Sequence, residues 1–68
     1  MNLHIEFAQV ADGRWMAAVS ALPGVLTFGI SQAEAMAKVQ ALALRVLAER
    51  LERGEAVPEL LNVSFDAA

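Results

Sequence analysis

The 68 residues contain no cysteine, which removes disulfides and thiolate metal sites from consideration. There is one histidine, His4, so no histidine cluster can hold a metal, and no cofactor is expected. Positive charge is also scarce. Five basic residues face eight acidic ones, for a formal net charge of −3. That balance argues against a phosphate-binding surface and mildly favours a basic partner. Long apolar runs are missing as well. The longest uncharged stretch, Trp15 to Ala33, is interrupted by Ser20, Pro23, Gly24, Thr27, Gly29 and Ser31, so no membrane span is expected. The opening Met1-Asn2-Leu3-His4 lacks the basic segment of a signal peptide. With cysteine absent, the cytoplasm is the expected compartment.

Hydrophobic residues are abundant instead, at 57%. A domain of this size buries only about 60% of the surface its unfolded chain exposes, so its core is marginal. Disulfides, metals and extra subunits are the usual supplements, and only the last is open to this composition. Self-association as a dimer or a dimer of dimers is therefore expected.

Leu3, Ile5 and Phe7 alternate with His4 and Glu6, which predicts a half-buried strand over Leu3 to Val10. Ala11-Asp12-Gly13-Arg14 predicts an Asp-Gly hairpin turn. A second strand follows over Trp15 to Ser20, with Trp15, Ala17 and Val19 on one face. In Leu22-Pro23-Gly24, proline presets one corner of a tight turn and glycine accepts a positive φ at the next. Val25 to Ile30 is the third strand, completing an antiparallel meander. Met16 and Phe28 fall on the parity opposite Val19 and Val25, so exposed apolar surface is expected there.

At Ser31 the period changes. Ser31 and Glu34 form a capping box, predicting a helix from Gln32 to Arg53 that stops at Gly54. Its core stripe is Ala35, Met36, Val39, Leu42, Ala43, Val46 and Leu47. Pro58 marks a loop, and Leu61, Val63 and Phe65 alternate as a short last strand. The expected architecture is α+β: a βββαβ two-layer sandwich with one long helix on the sheet, forming a single domain over residues 1–68. The helix would be about 33 Å long, against about 23 Å for a seven-residue strand, so its last turns should overhang. Leu44 and Leu51 fall beside the stripe, and Arg50 near its centre, where burial of a lone charge would be costly. Either these residues form a self-association surface beyond the core, or the stripe is wide and Arg50 reaches past it to water.

The order of these signals resembles the HicB-like antitoxin family. The residues that carry the resemblance are Asp12-Gly13-Arg14-Trp15, Ser20-Ala21-Leu22-Pro23-Gly24-Val25, Phe28-Gly29-Ile30-Ser31, Glu34-Ala35, and Arg53-Gly54-Glu55-Ala56-Val57-Pro58. Three positions depart from the family's pattern. Ser20 stands where the turn motif has its first proline, Ile30 stands where an aspartate precedes the helix cap, and Ser31 replaces the threonine cap while keeping its role. The resemblance implies a cut-down ribonuclease H-like fold without catalysis. It also implies a function, neutralising a HicA-like toxin, a small basic RNA-cleaving protein, by covering its active site. Many members carry a DNA-binding segment after this domain. These 68 residues are filled by βββαβ, so no separate DNA-binding domain and no direct DNA binding are expected from them.

Candidate partner-binding residues are Asp12, Trp15, Leu22, Pro23 and Phe28, around the hairpin and the Leu-Pro-Gly turn. For Trp15, core packing is favoured over partner contact. Candidate self-association residues are Leu44, Arg50 and Leu51. No catalytic residue is expected. His4 reads as a solvated strand histidine, the carboxylates are scattered, and Ser20, Ser31 and Ser64 read as turn or cap residues. An aromatic RNA platform is disfavoured because, of the basic residues, only Arg14 lies near the strands. The alternative to the antitoxin reading is an orphan self-associating domain of the same fold with no toxin partner.

Overall fold

The computed structural model describes residues 1–55 and 62–67. Its elements are β1 (Asn2–Gln9), β2 (Trp15–Val19), β3 (Leu26–Gly29), α1 (Gln32–Glu52) and β4 (Ser64–Ala67), the expected βββαβ order. The predicted strand start at Leu61 and the loop at Pro58 lie outside the described residues.

The first turn differs from the simple Asp-Gly hairpin. Gly13 N–H donates to Val10 O and Val10 N–H donates to Arg14 O, and of the turn residues only Gly13 has positive φ. A two-residue type I′ turn would need positive φ at Asp12 too. The chain makes a three-residue loop closed by a glycine bulge instead. Asp12 is thereby free to fold back, accepting from Arg14 N–H at 3.0 Å and from Arg14 Nε at 2.8 Å. The second turn is as expected. Val25 N–H donates to Leu22 O across Pro23 and Gly24, and Gly24 has φ of 83°, which is the type II geometry.

The sheet order is β3-β2-β1-β4. The first three strands are antiparallel, and β4 lies parallel to β1 with Leu3 beside Phe65. The sheet is therefore mixed. Alternation decides the faces: Leu3, Ile5, Ala17, Val19 and Val25 point to the helix and join Ala35, Val39, Ala43 and Leu47 in one buried cluster. Met36, Leu42 and Val46 pack at its margin, as their places on the stripe require. Leu47 is the last buried helix residue, Arg50 is half-buried and Leu51 is exposed, so the final turn does run past the core.

The helix start carries both halves of the capping arrangement. Ser31 Oγ accepts from Glu34 N–H at 3.1 Å, and Glu34 Oε1 accepts from Ile30 N–H at 3.3 Å, one residue earlier than the usual box. The bond from Ile30, then that from Lys38, holds the Glu34 carboxyl below its ordinary range. At the other end Gly54, at φ of 78°, lets Gly54 and Glu55 N–H reach back to Leu51 and Arg50 carbonyls.

Candidate protein-binding surface

With the helix on one face, the other face of the sheet is open among the described residues. Two kinds of surface meet on it. Toward β4 it is polar: His4 Nδ1 lies 2.5 Å from Asp66 Oδ1, Asn2 donates to Asp66 at 2.6 Å, and Ser64 donates to Asn2. These side-chain bonds, His4 first, hold Asp66 below the ordinary carboxylate range. Toward β3 it is apolar. The register sets Ala8, Met16 and Phe28 in one row and Ala18 beside Leu26 in the next. Leu26 is 43% exposed, Phe28 39%, and Ile30, just beyond the strand, 79%.

The same apolar row sits on a free edge. Among the described residues nothing pairs with the outer side of β3. Val25 and Val19 are bonded across the β2–β3 pair, and antiparallel bonding alternates, so the main-chain groups of Leu26 and Phe28 face outward. No charged side chain lies on β3, and charge is the commonest protection of an exposed edge. Arg14 closes the band at the hairpin end, its guanidinium 5.1 Å from the centre of the Phe28 ring. Asp12 holds that guanidinium from the other side, and the bonds it receives from Arg14 backbone and side chain keep its carboxyl below its usual range. Asp12, Arg14 and Phe28 thus form one exposed chain of contacts, and Asp12 presents negative charge at the rim.

The five candidate partner-binding residues are not brought together. Phe28 and Asp12 lie on or beside the open face, and Pro23 is exposed at the β2–β3 turn. Trp15 pairs with Gly29 on the helix side of the sheet, half-buried against the core, so it and Phe28 occupy opposite faces. That separation also dismantles a two-aromatic stacking platform. Leu22 is corrected outright: at 3% exposure it belongs to the core, where it anchors the turn from below, and it has no surface to offer. Leu26 and Ile30 take its place in the exposed set. Their signal was present in the alternation Leu26, Phe28, Ile30, but only the sheet order shows that the strand is an edge.

Of the candidate self-association residues, Leu44 and Leu51 are 50% and 56% exposed, while Arg50 is half-buried. Among the described residues no group of three or more histidine or carboxylate side chains is close enough to hold a metal, and no helix is long and apolar enough to cross a membrane. An open depression of about 290 Å³ lies between the helix start and the β1–β4 side, lined by Phe7, Gln32, Ala33, Met36 and Ala67. Its lining is almost wholly apolar and offers little to orient a small ligand.

Fold and surface define an α+β sandwich of one helix on a four-stranded mixed sheet, with an apolar band on its uncovered face. Comparison with family models, with curated proteins and with solved structures found no match to this chain.

Proposed function

We propose that this chain is a HicB-like antitoxin domain that binds a HicA-type RNA-cleaving toxin in the cytoplasm and neutralises it by covering its active site. The observation that carries the reading is the unprotected apolar edge: Leu26, Phe28 and Ile30 are exposed in a row beside free main-chain groups. Soluble domains this small rarely leave such a feature to water. The sequence resemblance supports the choice of partner, since its hairpin, Leu-Pro-Gly and cap motifs sit at the two turns and the helix start that frame β2 and β3. A toxin that holds RNA must be basic, and a net charge of −3 would speed the encounter. Asp12 contributes to that rate at the rim, whereas Phe28 contributes to lifetime as a desolvated anchor. Pro23 stiffens the turn that leads into β3.

The test is titration against a HicA-like toxin, one encoded beside this chain where it exists. Phe28→Ala should weaken binding by more than about 1 kcal/mol while leaving the fold intact, because the ring lies outside the core. No binding at tens of micromolar, with both proteins folded, would favour the orphan self-associating domain, a reading kept open by the exposed Leu44 and Leu51.

The reading assigns no catalysis and no operator binding to these residues. The purified chain is expected to leave RNA and RNA–DNA hybrids uncut with magnesium or manganese present. Turnover abolished by Glu6→Gln or Asp12→Asn would overturn that part of it.

A further inference from the structure

We propose that the free edge of β3 takes an extended strand of the basic partner, running antiparallel to β3 and continuing the four-stranded sheet by one strand. The choice of partner rests on the toxin reading above, whereas the mode of binding follows from the edge itself. The outer strands of the sheet are β3 and β4. β4 carries Asp66, held by His4 and Asn2, and charge on an edge discourages strand pairing. β3, Leu-Thr-Phe-Gly, carries neither charge nor proline. Val19 N–H donates to Val25 O at 3.1 Å, and the register gives Thr27 and Gly29 the next inward positions. The N–H and C=O groups of Leu26 and Phe28 therefore point out of the sheet, with no strand beside them among the described residues. This stretch is bounded at both ends. Leu22 O accepts from Val25 N–H in the turn, and Glu34 Oε1 accepts from Ile30 N–H at the helix start.

Those main-chain groups select the occupant. Donors and acceptors alternating along an extended edge are matched by another extended backbone, not by a helix, whose main-chain bonds are spent internally. In an antiparallel pair the residues opposite Leu26 and Phe28 each give and accept one bond, and their side chains fall on the open face. There they meet Leu26 and Phe28, with Ala18 and Met16 behind, so both positions call for apolar side chains. The residue between them points to the helix side beside Thr27, whose hydroxyl donates to Ala35 O at 3.3 Å. A threonine-like side chain suits that place. Arg14, held by Asp12, lies 5.1 Å from the centre of the Phe28 ring, so the ring is already braced before the strand arrives. Charge decides between a foreign strand and a second copy. The chain carries −3, so a second copy brings like charge, whereas a basic protein brings the opposite.

At 68 residues the full chain can be made by chemical synthesis, so single amides can be methylated. N-methylation of Leu26 or of Phe28 removes an outward donor and leaves the bonds inside the sheet in place. Each should weaken binding to the HicA-like toxin of the titration above by at least about tenfold, with an unchanged circular dichroism spectrum. N-methylation of Thr27, whose N–H is used inside the sheet, should disturb the fold instead. Hydrogen exchange reads the same groups without modification. In the free chain the Leu26 and Phe28 amides should exchange quickly and the Thr27 amide slowly, and toxin should slow Leu26 and Phe28 by at least about tenfold. Parental affinity in both methylated chains, with Phe28→Ala still weakened, would overturn strand addition and leave the toxin reading standing. A toxin that does not bind the parent at all would remove both. Protection of Leu26 and Phe28 that rises with the concentration of this chain alone would put a second copy on the edge and overturn the proposal.

Discussion

Gly29→Ala is expected to destabilise the domain by roughly 1–3 kcal/mol, which for a chain of this size lowers the melting temperature by about 5–20 °C. The reason is space and not backbone conformation, because Gly29 does not have a positive φ. A methyl group there would sit 2.6 Å from the amide nitrogen of Ala35 and 3.1 Å from its Cα and from the Glu34 carbonyl carbon. All three atoms are backbone in the first turn of α1, so no side-chain rotation relieves the contact. The helix start must lift from the end of β3, and the burial of Ala35 and the packing of Trp15 beside Gly29 are both tied to that approach. Gly13→Ala is the control: nothing lies within 4 Å of the added methyl group, and the strain comes only from φ of 91°, for about 1–2 kcal/mol. Urea melts of the two variants separate the causes. Gly29→Ser should be at least as damaging as Gly29→Ala, whereas Gly13→Asn should be milder than Gly13→Ala because asparagine tolerates the left-handed region. A Gly29→Ala protein as stable as the parent would mean that the helix does not approach the sheet this closely.

Ile5→Ala should produce the larger loss, about 2–5 kcal/mol. Ile5 is 1% exposed at the middle of β1, flanked by Val19 on one side and Ala67 on the other. Deleting its outer carbons leaves a cavity that a sheet held on both sides cannot close. A domain of this length is stabilised by only about 3–10 kcal/mol, so the variant should be largely unfolded well below the melting temperature of the parent. Ile30→Ala removes the same atoms from a residue 79% exposed and should change stability by no more than about 0.5 kcal/mol. Thermal melts of the pair check the assignment of faces. A larger loss from Ile30→Ala than from Ile5→Ala would show that the two faces had been exchanged.

The order of elements was legible because each carries a local signal. Period-two alternation from Leu3 to Phe7 marks a strand on its own. The positive φ that Gly24 adopts is a property of four residues, and the Ser31–Glu34 cap needs only one turn of helix. The core stripe followed from the same logic, since a regular helix places Ala35, Val39, Ala43 and Leu47 on one side whatever they meet. Exposed apolar surface at Phe28 was legible from parity alone, whereas Met16 on the same face is half-buried.

Tertiary structure decided what depends on neighbours distant in the chain. Leu22 was expected among the partner contacts, yet it is 3% exposed and belongs to the core cluster. The pairing of β4 with β1 brings Asp66 beside His4, two residues that nothing local connects. Trp15 and Phe28 are joined by one hairpin, but the register puts them on opposite faces. The free edge of β3 exists only because β4 joined the other side of the sheet. Short-range signals determined which elements form. Strand pairing, a choice among contacts of similar local energy, determined which residues the finished surface offers to a partner.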